Sequence, residues 1–287
     1  MIVLDFNGIA MGNIIVNSSY GSNYGELNED TIRHMILNSI RMHVKKHKEQ
    51  YGQVVIACDG GSWRRDAFPQ YKWSRRNNRK ESKLDFDMIF TTLNKVREEI
   101  AQNMPYKVVY IRNVEADDII GTLVEQTQEF GQMEDVMIIS ADKDFIQLQK
   151  YGNVKQYSPM TKKFIKDDNP NVYLFEHILK GDSSDGIPNV LSGDDTFVEG
   201  IRQSPMTKKK IQSYVDNAEN LESFMGAEIY RNYKRNQLLV DLEYIPQDIK
   251  KNIIDTYESA KVQPRMKILN YFIKNRCKLL IECIEDF

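Results

Sequence analysis

The chain opens on a short apolar run closed by an acid, Ile2-Val3-Leu4-Asp5. Val54-Val55-Ile56-Ala57-Cys58 ends likewise in Asp59-Gly60-Gly61, and Val136-Met137-Ile138-Ile139 runs into Ser140-Ala141-Asp142. Val108-Val109-Tyr110-Ile111 and the stretch from Val154 to Tyr157 complete a set of five short runs. The apolar ones lack polar alternation, which is the pattern of parallel strands buried on both faces. Helical spacing separates them. Residues 28–51 place Ile32, Met35, Ile36, Ser39, Ile40 and Val44 on one face, with Asn28 or Asp30 as the cap. Residues 84–103 and 115–130 read as helices, and a shorter one carries Phe145, Ile146 and Leu148. Beyond Pro170 only helical patterns remain, over 171–180, 205–216, 227–240, 246–259 and 265–275. No internal repeat or low-complexity tract interrupts the pattern.

The expected fold class is α/β: a central, mainly parallel twisted sheet with helices on both faces over residues 1–170, then a helical part over 171–287. Apolar residues make up 41% of the chain, enough for a sizeable core. No apolar stretch approaches the ~18–20 residues that span a bilayer. The first residues lack the features of a signal peptide, so the expected location is intracellular. Cys58, Cys277 and Cys283 form no CxxC pair, which argues against a disulfide framework or a structural zinc site. His43 and His47 stand one helical turn apart, but Val44 follows the first and Lys45, Lys46 and Lys48 surround them. They read as part of a solvated basic helix face.

The acids gather where ligands bind in open parallel sheets, beyond the carboxyl ends of the strands. Asp5, Asp59, Asp142 and Asp144 follow strands, and Glu115, Asp117 and Asp118 open the helix after the third strand. These seven are expected to converge on one sheet edge, while Asp182 and Asp185 lie in a later loop. Each alone has a plainer explanation as a helix cap or a first-turn acid. Together they would repel one another unless cations intervene. An all-carboxylate set without histidine or cysteine suits magnesium or manganese. Two such ions about 4 Å apart can hydrolyse a phosphodiester.

Net charge is −2, yet removing those nine acids would leave +7. Residues 61–83 carry eight basic residues (Arg64, Arg65, Lys72, Arg75, Arg76, Arg79, Lys80 and Lys83) against Asp66 and Glu81. Trp63, Phe68, Tyr71 and Trp73 interleave with them. Cations attract phosphates and aromatic faces stack on unpaired bases, so the segment reads as a nucleic-acid contact rather than a solvated loop. Lys72 and Arg76 share a face if the stretch is helical. Gly181 and Gly186 in Lys180-Gly181-Asp182-Ser183-Ser184-Asp185-Gly186 permit close backbone approach to a phosphate, with Lys208 and Lys209 as further contacts.

These motifs resemble the 5′-nuclease (flap endonuclease) family, and within it the ribonucleases H of T-even bacteriophages. The resemblance runs along essentially the whole chain: Leu4-Asp5-Phe6, Cys58-Asp59 with Trp63-Arg64-Arg65-Asp66, Glu115-Ala116-Asp117-Asp118, Ser140-Ala141-Asp142-Lys143-Asp144-Phe145, Leu179-Lys180-Gly181-Asp182-Ser183-Ser184-Asp185, Val198-Glu199-Gly200 and Asp241-Leu242-Glu243-Tyr244-Ile245-Pro246. The resemblance implies an arch over the active site at about 61–83 and a duplex-gripping helix–three-turn–helix in the C-terminal part. It also implies two magnesium sites, which manganese can occupy, built from the nine carboxylates. Asp5, Asp59 and Asp142 would be catalytic, and Lys72 with Arg75 or Arg76 would contact the reacting phosphate. The expected substrates are RNA–DNA hybrids and duplex or 5′-flapped DNA. The expected task is clearing RNA primers from lagging-strand fragments, as a monomer in the cytoplasm of an infected bacterium, with a single-stranded-DNA-binding protein as a candidate partner. Residues 189–204 depart from the family pattern, being longer and carrying Asp194, Asp195 and Glu199, which bears on duplex binding and on any potassium site there. Asp5 lies almost at the start of the sequence, so an N-terminal tail that recruits a sliding clamp is not expected, and a clamp partnership stays open. Two rivals stand against this reading. A haloacid-type phosphatase needs Asp-x-Asp at the first strand, where Asn7 stands instead. A non-catalytic nucleic-acid scaffold would not need the full carboxylate set.

Overall fold

The computed structural model describes residues 1–19, 27–82, 84–129 and 133–287, and their side chains except at 19, 76–78 and 80. Six strands form one sheet: β1 (Ile2–Asp5), β2 (Val54–Cys58), β3 (Lys107–Tyr110), β4 (Val136–Ile139), β5 (Val154–Ser158) and β6 (Lys163–Ile165). Their order is β3-β2-β1-β4-β5-β6, with β1 to β5 parallel and β6 antiparallel to β5. Every residue of β1, β2 and β4 is buried, as their unbroken apolar runs require. Ile2, Val3 and Leu4 pair with Met137, Ile138 and Ile139, so β1 and β4 end level with each other. The chain fills one side of β1 with β2 and β3, then crosses to the other side with β4. The boundary between β1 and β4 is therefore the topological switch point, where open α/β sheets leave a crevice.

The helices are α1 (Phe6–Ser19), α2 (Glu29–Tyr51), α3 (Arg64–Ala67), α4 (Trp73–Glu81), α5 (Phe86–Asn103), α6 (Ala116–Thr127), α7 (Pro170–Lys180), α8 (Lys208–Val215), α9 (Leu221–Met225), α10 (Ala227–Val240), α11 (Gln247–Ser259), α12 (Met266–Lys274) and α13 (Lys278–Ile281). Asn28 caps α2, its side chain accepting from Thr31 N, and Asp85 caps α5 through Met88 N. The helical stretch carrying Phe145 and Leu148 is a 3-10 helix, Lys143–Lys150. Among the described helices, none is long and apolar enough to cross a membrane.

The chain forms two compact units that cut across the expected break at residue 170. Unit 1 comprises Met1–Gly61, Asp85–Lys166 and Gln247–Phe287, and unit 2 comprises Ser62–Leu84 and Asp167–Pro246. The last segment joins unit 1 because α11 packs on α6 and β3, and α12 on α5. Arg41 of α2 also pairs with Asp286 at 2.6 Å. Unit 2 has its own core, in which Phe68 and Tyr71 pack with Ile178, Leu179, Ile187, Tyr233 and Leu239.

His43 and His47 do not lie on a solvated face. They are buried, edge-on to the Tyr157 ring at 5.8 and 5.6 Å, while Lys45 is exposed and Lys46 lays its Nζ over the same ring at 4.0 Å. The apolar stripe of α2 continues through His43, Val44, His47 and Tyr51, and burial pushes the His43 imidazole down to about 4. Helix α1, with glycines at positions 8 and 12, and the short β6 and α4 were not legible as elements.

Candidate metal centre and nucleic-acid interface

In unit 1 the carboxylates are placed by the ends of the strands. Asp5 closes β1 and turns its carboxylate back over the first turn of α1, where Oδ1 accepts from Gly8 N at 2.8 Å. A Cβ on Gly8 would lie 2.2 Å from Asp5 Oδ2, so the arrangement needs glycine there. Ser140 Oγ donates to Asp5 Oδ2 at 2.9 Å and accepts from Asp142 N at 3.1 Å, linking the ends of β1 and β4 across the switch point. Asp142 Oδ1 accepts from Asp144 N at 2.9 Å. Beneath this turn Gln156 of β5 donates to the carbonyls of Ser140 and Asp142.

Asp59, at the end of β2, accepts from Ala116 N at 2.8 Å and so caps α6 from another strand. Gly60 lies flush against the loop before α6: its N–H donates to Val114 O at 2.8 Å, and a Cβ there would meet Ile111 O at 1.8 Å. Glu115 and Asp118 form a capping box with Glu115 N donating to Asp118 Oδ2 at 3.0 Å, so the plainer explanation of these two as caps holds structurally. Asp118 is fully buried, whereas Asp117 on the same turn is partly exposed.

Asp117, Asp142 and Asp144 bring one carboxylate oxygen each to within 4.8 Å of one another. An all-oxygen trio of this kind fits a hard divalent cation. Asp5 is pushed up to about 7, first by burial and then by Asp59, with Asp142 adding to the repulsion. Such crowding is the electrostatic signature of a site that favours added positive charge.

Unit 2 holds the basic segment and the glycine turn. Lys72 takes a left-handed φ of 56° and caps α4, which begins at Trp73, so the expected shared helical face with Arg76 does not form from Lys72. The Arg76 and Lys80 side chains lie outside the described ones, and Lys83 lies outside the described residues. Arg65, Arg75, Arg79, Lys208 and Lys209 are exposed, and Trp73 offers an exposed aromatic face. Two expected nucleic-acid contacts are corrected. Arg64 is 2% exposed and its Nε donates to Leu239 O at 2.8 Å, so it ties α3 to α10. Tyr71 is 4% exposed and its hydroxyl donates to Asp185 Oδ2 at 3.0 Å, so it does not stack on bases. Gly181 and Gly186 have positive φ, as expected of the turn, but both are closely overlaid by protein backbone. Asp182 caps its own turn, accepting from Ser184 N at 2.7 Å. Asp185, expected as a ligand, is buried and accepts from Lys72 and Arg75 as well as Tyr71.

Two contributors went unread in the sequence. Ser140 was visible only as a neighbour of Asp142. Gln156 is a fully buried polar residue of β5, and only its burial, which the sequence does not show, marks it as the donor beneath this turn.

Residues 22–173 match the family model of the 5′-3′ exonuclease N-terminal resolvase-like domain, and residues 168–287 match that of the T4 RNase H C-terminal domain. The chain is 38% identical to the ribonuclease H of Enterobacteria phage T4, over 99% of this chain and 95% of that protein. It is 28% identical to a 5′-3′ exonuclease of Buchnera aphidicola, over 74% of this chain and 69% of the relative. The fold is shared with the bacteriophage T5 D15 protein co-crystallised with metal ions, at a TM-score of 0.60 and 18% identity, covering 91% of this chain and 99% of that one. A T5 D15 flap endonuclease complex with DNA and metal ions aligns at a TM-score of 0.58 and 18% identity, covering 90% and 99%. Sheet order, strand-end carboxylates and a match along the whole length agree: this chain belongs to the 5′-nuclease family of 5′-3′ exonucleases and flap endonucleases, alongside the ribonuclease H of phage T4.

Proposed function

We propose that the protein is a divalent-metal-dependent nuclease that hydrolyses phosphodiester bonds of RNA–DNA hybrids and of duplex or flapped DNA from the 5′ end. Its task on this reading is the removal of RNA primers from lagging-strand fragments during phage replication. The observation that carries the proposal is the meeting of Asp117, Asp142 and Asp144 beside a buried, crowded Asp5 at the switch point of the sheet.

Asp5, Asp59, Asp117, Asp142 and Asp144 would hold magnesium, or manganese in its place, with Glu115 and Asp118 shaping the wall from the α6 capping box. Bound there, such cations supply charge stabilisation to a phosphoryl group and acidify water at neutral pH. The chain's own groups supply position. Gly8 N and Ser140 Oγ fix the Asp5 carboxylate, Ala116 N fixes Asp59, and Gln156 anchors the turn that carries Asp142. Lys72 and Arg75 are the cations suited to a backbone phosphate, with Arg65, Arg79, Lys208 and Lys209 adding sequence-independent attraction.

The test is cleavage of a 3′-labelled flapped duplex and an RNA–DNA hybrid, with magnesium and with chelator, by wild type and Asp142→Asn. We expect magnesium-dependent short 5′ products from wild type. Asp142→Asn should lose at least a hundredfold in single-turnover rate with an unchanged circular dichroism spectrum. Near-wild-type turnover by that variant would remove Asp142 from the site. Binding without cleavage by wild type across several metals would leave a nucleic-acid scaffold as the reading.

A further inference from the structure

The carboxylate of Asp185 sits at the centre of a set of contacts within unit 2. Its Oδ2 lies 3.2 Å from Lys72 Nζ and accepts from Tyr71 OH at 3.0 Å, and its Oδ1 accepts from Arg75 Nη2. The backbone joins in: Lys72 N donates to Asp185 O at 2.7 Å, and Arg75 Nε donates to Ser184 O at 3.3 Å. The side chain of Asp185 is 9% exposed and that of Lys72 is 12% exposed, so the pair is largely withdrawn from water. The turn is built to press on this place. Gly186 has a φ of 74°, and a Cβ there would stand 3.0 Å from Gln70 O and 3.6 Å from Lys72 N. The Asp182–Ile187 bridge closes the turn behind it.

A second acid continues the same scheme from the 189–204 segment. Asp195 Oδ1 accepts from Gln70 Nε2 at 2.6 Å, just before Tyr71 and Lys72. Neighbouring Asp194 pairs with Arg231 at 2.6 Å and with Arg235, both on α10. The longer loop therefore braces the start of the basic segment against α10, and Asp185 grips it from the glycine turn.

Two full cations on one buried carboxylate leave little for a metal. A divalent ion on Asp185 would stand beside the Lys72 ammonium, and like charges at that range repel strongly where water is scarce. Displacing Lys72 would part an ammonium from a buried carboxylate where water is scarce, which is strongly unfavourable. Asp5 offers the contrast, since its two oxygens accept from a backbone amide and a hydroxyl.

We infer that Asp185 is the latch of the Lys72–Arg75 cations, a positioning residue for phosphate binding rather than a metal ligand. The latch holds Lys72 at both ends, backbone and head group, and so sets where the two cations are presented. The inference rests on the nuclease reading only for the purpose of those cations, and its test uses no nucleic acid. Magnesium binding is titrated calorimetrically in wild type and Asp185→Asn, and acylation of Lys72 by an amine-reactive ester is followed by mass spectrometry in both. The expected result is the same number of binding events with affinity within threefold, together with about a tenfold faster acylation of Lys72, because the neutral amide no longer holds the withdrawn amine in its contact. Loss of a metal-binding event, or unchanged acylation, overturns the latch. Should Asp185→Asn fail to fold, a manganese-soaked crystal of the wild-type protein decides. Lys72 still on Asp185, with no manganese within about 2.6 Å of its oxygens, upholds the latch, and coordination at that range ends it. A protein that passes these tests but cuts nothing would sink the nuclease reading and leave the latch standing.

Discussion

At Asp5 the fold keeps a carboxylate where it resists ionisation, boxed in by burial, Asp59 and Asp142. In chelator at pH 7.5, Asp5→Asn should therefore be more stable than wild type, by up to about 4 kcal/mol in urea unfolding. Added magnesium should narrow or reverse that order, since only the wild type gains the cation. A variant less stable than wild type in chelator would show that the hydrogen bonds outweigh the repulsion. His43 tests pH directly and away from the site. Its pKa is about 4 when folded against 6.5 in an unfolded chain, so between those values the unfolded state binds the extra proton. Stability is complete above pH 6.5 and is lost as pH falls towards 4, by up to about 3 kcal/mol; His43→Gln should flatten that slope, measured as the difference between variant and wild type. At this scale the sequence told which acids stand at strand ends, because strand termini show in the apolar runs themselves. It did not tell that Arg64 and Tyr71 are buried. Their covering residues come from 178–240, and no local pattern around 61–83 records that distant packing.

Among the elements, the connection from β2 into the basic segment is sewn to the loop before α6. Gly60 exchanges backbone bonds with Asn113 and Val114, and Asp59 caps α6 through Ala116. One residue thus fixes two loops that both carry acids. Gly60→Ala should destabilise unit 1 by about 2–3 kcal/mol and weaken magnesium binding in the same protein, since the added methyl meets backbone rather than a yielding side chain. Unchanged thermal midpoint and unchanged metal titration would show that the loop moves aside freely. The inner parallel strands were legible as short unbroken apolar runs, and the long helices because each buries a face with a clear period. Helix α1 was not, since its apolar residues do not gather on one stripe and two glycines weaken its helical propensity. Strand β6 was not, because two of its three residues are exposed and its pairing with β5 is set by the turn at Met160–Lys162.

For the whole molecule, the return of Gln247–Phe287 to unit 1 matters most. Helices α11 and α12 cover α6, β3 and α5, so a chain ending at Pro246 should lose the cooperative unfolding transition of unit 1. A truncated protein with the wild-type urea midpoint would show that this cover is dispensable. The break expected near residue 170 marked a real change of pattern, from mixed to all-helical. Helical period alone does not say which body a helix covers, and that is why the packing of the last segment within unit 1 was not legible. The same arrangement orders events during synthesis. A ribosome releases the strands that carry the acids well before α11 and α12, which cover α6, β3 and α5. Until α11 emerges, β3 has α5 but not its second cover, and the carboxylates of α6 rest on a helix still lacking one neighbour. The nascent chain thus completes the body that bears its acids only after residues 247–287 have emerged.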